Sequence, residues 1–178
     1  QDWRLEDGGV ECVEGRPRFG MRTLHLLTHW IEGAREGSFR STVRVDAAEG
    51  ARGGSAAGFL FGAGGVAVDH RLTAQVHGSP AEDGGFLALV DGAGRATIRD
   101  FEQPVDDGGG QWTMRTDHDL SAFAAPPGVE VAGDGFGAEG PRPVLLELVG
   151  AHFDGRRTVQ LVVMDAADRR VLSAASWK

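Results

Sequence analysis

Basic and amide side chains recur on the polar sides of three predicted strands. Residues two or four positions apart in a strand project to the same face of a sheet. If the three polar sides belong to one sheet surface, they line a groove rich in hydrogen-bond donors, which suits polyhydroxylated or anionic ligands. The alternative is an ordinary solvated sheet face. The candidates are His25, His29, Arg40, Arg44, Gln75 and His77.

The two histidines of the first strand are not a predicted metal site. His25 and His29 are four residues apart, which separates them by about 13 Å at the usual strand rise, so they cannot bind one ion directly. Glu147 lies between Leu146 and Leu148 in a later predicted strand. It is either a polar contact in the same groove or a solvated residue of the outer face.

Glycoside hydrolysis with retention needs two carboxyl groups about 5–5.5 Å apart. On a strand they would stand two to four residues from each other, and no Glu-x-Asp-x-x-Glu pattern occurs. A glycoside-active alternative would have to use Glu147, Asp69 or Asp91. The sequence also has no Gly-x-Ser-x-Gly elbow and no phosphate-binding loop with a following Lys-Ser/Thr. The residues therefore predict binding rather than catalysis.

Five aspartates, Asp134 among them, fall in a region with weak strand signals, between residues 102 and 143. Oxygen ligands of this kind suit calcium, provided that an irregular loop lets them converge. The alternative is a solvated acidic loop. The candidates are Asp106, Asp107, Asp117 and Asp119.

Composition bounds the class of protein. The 178 residues suit one domain over 1–178. A net charge of −8 argues against nucleic-acid binding, which needs a basic patch. No run of 18 apolar residues predicts a membrane span, and no segment has the pattern of a signal peptide. Cys12, the one cysteine, lies in the alternating run Val10–Val13 and is predicted to be buried.

The elements that must position these residues are strands. Phe39, Val43 and Val45 alternate with polar residues, which is the period of a strand with one buried face. Turn signals such as Asp154-Gly155 recur along the chain, and no long helical pattern is found. We therefore expect an all-β, two-sheet antiparallel sandwich of about eleven strands. The segment 102–143 is expected to be a long irregular excursion, which either contains one or two short edge strands or runs over the surface at one end of the sheets.

Several segments together resemble the concanavalin A-like, or laminin G-like, jelly roll. The resemblance covers most of the chain outside 102–143. It is carried by Trp3–Val10, Ala57–Gly62, Val90–Gly94, Thr158–Asp165 and Arg170–Ala175.

The resemblance implies a carbohydrate-binding or accessory module of a bacterial exported protein, and hence an extracellular or periplasmic location. Similar modules precede the metallophosphatase domain of alkaline phosphatase D-like enzymes or occur as 3-keto-disaccharide hydrolase-like domains. Laminin G-like modules often bind calcium, which agrees with the aspartate candidates. No Gly-Asn-His motif of a two-metal phosphatase occurs here. The alternative functions are a glycoside-active domain and a structural domain that docks on a neighbouring catalytic domain.

Overall fold

The computed structural model describes residues 3–6, 8–13, 37–46, 56–61, 86–100 and 125–178. Within these ranges the chain is nearly all β, with ten strands, no α-helix and one short 3-10 turn at Gly137–Glu139. The predicted all-β class is therefore confirmed. The strands are β1 (Trp3–Glu6), β2 (Gly9–Cys12), β3 (Gly37–Val45), β4 (Ala56–Phe61), β5 (Phe86–Asp91), β6 (Ala96–Asp100), β7 (Glu130–Ala132), β8 (Val144–Phe153), β9 (Arg156–Asp165) and β10 (Val171–Trp177).

No helix in the described ranges is long and apolar enough to cross a membrane. The chain divides into two compact units. The first comprises Gln1–Leu27, Gly62–Gly85 and Phe101–Phe123, and the second comprises Thr28–Phe61, Phe86–Asp100 and Ala124–Lys178. The expectation of one domain over the whole chain stays a prediction.

The described part of the first unit is the hairpin β1–β2. Its strands are antiparallel, with Trp3 opposite Cys12 and Glu6 opposite Gly9. The predicted burial of Cys12 is wrong, because its side chain is exposed. Alternation alone could not bury it, since a ribbon of two strands has no second layer of its own to cover either face.

The second unit contains two antiparallel sheets. A five-stranded sheet has the order β3-β8-β9-β10-β7, and a three-stranded sheet has the order β4-β5-β6. The short strand β7 is an edge strand inside the predicted excursion, which confirms the alternative of a short strand there. Residues 102–124 of that excursion lie outside the described ranges.

The two sheets share one hydrophobic core. Alternate residues of β8 and β9 project inward, and Leu146, Leu161 and Val163 have no accessible surface. They pack in one cluster with residues of β5 and β6 such as Ile98. The second unit is thus a β-sandwich-like structure, whereas its jelly-roll connectivity stays a prediction.

Both faces of β5 are closed to solvent. Ala88 and Val90 belong to the shared core, and Leu87 and Leu89, which project to the other face, are only 1% and 6% exposed. The alternation of side chains along β5 therefore does not produce a solvent-exposed face. The outer face of the five-stranded sheet differs, because its residues on β8 and β9 are exposed or half-buried.

A buried hydroxyl group connects the two sheets. Ser173 on β10 has no accessible surface, and its Oγ accepts a hydrogen bond of 2.9 Å from the amide of Ala96 on β6. The same hydroxyl donates to the carbonyl of Ala132 on β7 at 3.0 Å. A shift of register between Val171 and Ser173 lets two successive residues of β10 project inward. Ser173 thus satisfies a donor and an acceptor on different strands.

Candidate functional site

Most of the residues singled out in the sequence lie outside the described ranges. These are His25, His29, Gln75, His77, Asp69, Asp106, Asp107, Asp117 and Asp119. The calcium site and the histidine part of the groove therefore stay predictions. Arg40, Arg44, Glu147 and Asp91 are described.

Arg40 and Glu147 come together on the outer face of the five-stranded sheet. Thr42 pairs with Glu147 across β3 and β8, and Glu147 alternates with the inward residues Leu146 and Leu148. Nε of Arg40 lies 3.8 Å from Oε2 of Glu147, and their side chains are 69% and 25% exposed. An ion pair between partly exposed groups contributes little to stability. The Arg40 side chain, which is 69% exposed, is accessible to a ligand.

Arg44 lies on the same face of β3, but it pairs with Asp46, the residue that follows this strand. Its Nε donates to both carboxylate oxygens of Asp46, at 3.1 and 3.2 Å. The predicted polar side of β3 is therefore exposed, while its two arginines have different partners.

A polar row crosses the whole outer face of this sheet. Backbone register places Arg40 opposite Val149, Val149 opposite Gln160, and Gln160 opposite Ser176, which in turn faces Glu130. Each of the five strands thus contributes one residue, and four of the five are polar. Adjacent strands lie about 4.8 Å apart, so the row is about 19 Å long. We name this set the polar row.

A shallow depression of about 510 Å³ lies at one end of the same face, beside the β8–β9 hairpin. Within the described part of the chain it is lined by Ala151, Phe153, Asp154, Arg156 and Thr158. The turn is the predicted Asp154-Gly155, whose φ angles of +51° and +72° fit a two-residue hairpin connection. Phe153 and Arg156 are directly opposite each other on either side of that turn.

Sequence reasoning did not single out Phe153 or Arg156. The signal that could have found them is an aromatic residue and a basic residue that flank a predicted two-residue turn. Two residues that flank such a turn lie directly opposite each other on the two strands of the hairpin, with Cβ atoms about 5 Å apart.

An ionic cluster lies where β9 ends and β8 begins. Nε of Arg142 is 2.8 Å from Oδ2 of Asp165, and Glu139 forms ion pairs with Arg142 and Arg170. Asp165 is nearly buried, and its Oδ1 accepts a hydrogen bond of 2.8 Å from the amide of Ala167. That hydrogen bond is the main reason that the pKa of Asp165 lies below its ordinary value of 3.8; desolvation opposes it, and the amide of Asp168 and both guanidinium groups add to it.

Acid is expected to weaken the fold through Asp165. Because its pKa is lower in the folded than in the unfolded chain, its ionised form stabilises the fold at neutral pH. This contribution is present above about pH 4 and is lost as the pH falls through the lowered pKa. At pH 7 the urea midpoint of Asp165→Asn should be lower than that of the wild type. Between pH 7 and about pH 2.5 the midpoint of the variant should fall less steeply than the wild-type midpoint. Asp134→Asn, which changes an exposed carboxylate, should retain the wild-type profile; equal slopes for the wild type and Asp165→Asn would contradict the expectation.

No group of three or more histidine, cysteine or acidic residues that could hold a metal ion occurs in the described ranges. Asp91 is engaged in its own turn, where its Oδ1 accepts hydrogen bonds from the amides of Ala93 and Arg95 at 2.8 and 3.0 Å. Comparison with protein-family models, curated proteins and solved structures found no match to the chain. The resemblance to concanavalin A-like modules therefore stays a prediction.

Proposed function

We propose that this protein is a non-catalytic binding module that takes a carbohydrate or a similar polyhydroxylated ligand on the outer face of its five-stranded sheet. The observation that carries the proposal is the polar row, which presents a guanidinium, an amide, a hydroxyl and a carboxylate across adjacent strands. Such a set both donates and accepts hydrogen bonds, as sugar hydroxyl groups require.

The row combines polar groups with apolar surface. Val149 lies between Arg40 and Gln160, and Val162 lies beside Glu147 in the neighbouring row. Both valines are half-buried. A sugar ring has an apolar face and a rim of hydroxyl groups, so it can contact the valines while its hydroxyl groups bond to Arg40 and Gln160.

Two described carboxylates support binding over hydrolysis. Glu147 is paired with Arg40, and Asp91 caps the turn between β5 and β6. The jelly-roll topology, the extracellular or periplasmic location and a neighbouring catalytic domain belong to the same proposal and rest on the resemblance.

Replacing Arg40 should weaken ligand binding. We expect Arg40→Gln to raise the Kd of a glycan by about tenfold or more, because charge-assisted hydrogen bonds are lost. Calorimetric titration, with and without calcium, against the best neutral and acidic glycans of an array would measure this. Arg95→Gln removes the same charge from the β5–β6 turn and should leave the Kd unchanged. If no glycan binds the wild type, or if Arg40→Gln and Arg95→Gln behave alike, the proposal is wrong.

A further inference from the structure

The depression beside the β8–β9 hairpin has four side chains available for a ligand. Phe153 is 54% exposed. Asp154, Arg156 and Thr158 are exposed as well, and none forms a side-chain hydrogen bond or an ion pair with another described residue. These groups are therefore not committed to holding this part of the fold together.

Arg156 differs from the other basic residues of the outer face. Arg40 is paired with Glu147 and Arg44 with Asp46, whereas the guanidinium of Arg156 has no acidic partner among the described residues. A planar guanidinium binds a carboxylate through two parallel hydrogen bonds. The depression thus offers a cation to a ligand carboxylate, although the whole chain has a net charge of −8.

Phe153, Asp154 and Thr158 suit the ring and the hydroxyl groups of such a ligand. An exposed aromatic ring beside a cation suits the apolar face of a sugar ring that bears a carboxylate. Asp154 and Thr158 can accept hydrogen bonds from its hydroxyl groups. Phe153, Arg156 and Thr158 lie on paired strands and Asp154 lies in the two-residue turn between them, so little backbone ordering is needed on binding.

We infer that this depression is a subsite for an acidic sugar, namely a uronate residue whose carboxylate binds Arg156 and whose ring stacks on Phe153. The inference rests on the proposed carbohydrate-binding function and names its ligand class. Arg156, Thr158 and Gln160 project to the same face of β9. Arg156 and Gln160 are about 13 Å apart along the strand. An acidic polysaccharide can therefore extend from the subsite to the polar row.

Titration with uronate oligosaccharides tests the subsite. The probes are oligomers of galacturonate, of mannuronate and of glucuronate, each with its methyl-esterified counterpart, in which the carboxylate charge is removed. For the full chain we expect at least one free acid to bind about tenfold or more tightly than its ester, with affinity that falls as salt is added. Arg156→Gln should abolish this preference, and Phe153→Ala should weaken both forms by about tenfold.

Arg157→Gln is the matched control. Arg157 is the next residue of β9, carries the same charge and projects to the opposite face, so its replacement should leave all affinities unchanged. Wild-type binding that Arg40→Gln weakens but Arg156→Gln does not would overturn the subsite and leave the proposed function intact. Equal binding of acid and ester, or equal binding of an acidic peptide of matched charge, would also overturn it. If no glycan of any kind binds, both proposals fail together.

Discussion

Gly133→Ala is expected to lower the free energy of unfolding by about 2–5 kcal/mol, since it combines an unfavourable backbone conformation with steric overlap. Gly133 follows β7 and has a φ of +90°. A Cβ atom there would overlap the carbonyl oxygen of Leu172 and lie 2.8 Å from Cα of Ser173. The Leu172 carbonyl also accepts a hydrogen bond of 3.1 Å from Gly135, so its displacement breaks the connection between the loop and β10.

Gly137→Ala separates the two causes. Gly137 has a φ of +58°, but a Cβ atom there would meet nothing within 4 Å. We expect this variant to lose only about 1 kcal/mol, from the backbone conformation alone. Urea unfolding followed by far-ultraviolet circular dichroism measures both. If Gly133→Ala cost no more than Gly137→Ala, the close approach of the loop to β10 would be refuted.

Ser173→Ala is expected to lower the free energy of unfolding by about 2–4 kcal/mol. The change removes the hydroxyl that joins Ala96 of one sheet to Ala132 of the other. It leaves a buried amide without its acceptor and a carbonyl without its donor, and each such group costs about 1–3 kcal/mol. The side chain loses little apolar contact, so the effect should come almost wholly from polar groups.

Ser176→Ala is the control for this variant. Ser176 lies on the same strand, projects to the outer face and is half-buried. We expect its replacement to change the free energy of unfolding by no more than about 0.5 kcal/mol. The same urea titration serves both variants. Similar stabilities for Ser173→Ala and Ser176→Ala would mean that the bridge between the sheets contributes nothing.

Local patterns in the sequence predicted the strands whose alternation is long and whose turns are simple. The turn signal at Asp154-Gly155 lies between β8 and β9 as expected, and the segment Thr158–Asp165 lies within β9. The exposed side of β3, which holds Arg40 and Arg44, followed from the same alternation. These features depend only on neighbours in the sequence, so one sequence is enough to find them.

Contacts between distant parts of the chain were beyond this reasoning. The bridge made by Ser173 depends on a register shift in β10 and on two other strands. The pairing of Arg142 with Asp165 joins residues on either side of a hairpin. The polar row also needs the strand order, because its members come from five separate segments. Alternation alone predicted that Cys12 would be buried, and the structure shows it exposed because a second layer, not periodicity, decides burial.

The two-residue connection between β8 and β9 has a consequence for how this protein can diverge. Because the side chains of a strand alternate with a period of two, one extra residue at Asp154-Gly155 that shifted the pairing would exchange the faces of β9. Arg157 would then take the place of Arg156, and Leu161 would leave the core for solvent. The length of this turn is therefore constrained both by the hydrophobic core on one face of the sheet and by the polar residues on the other, although the turn itself is on the surface.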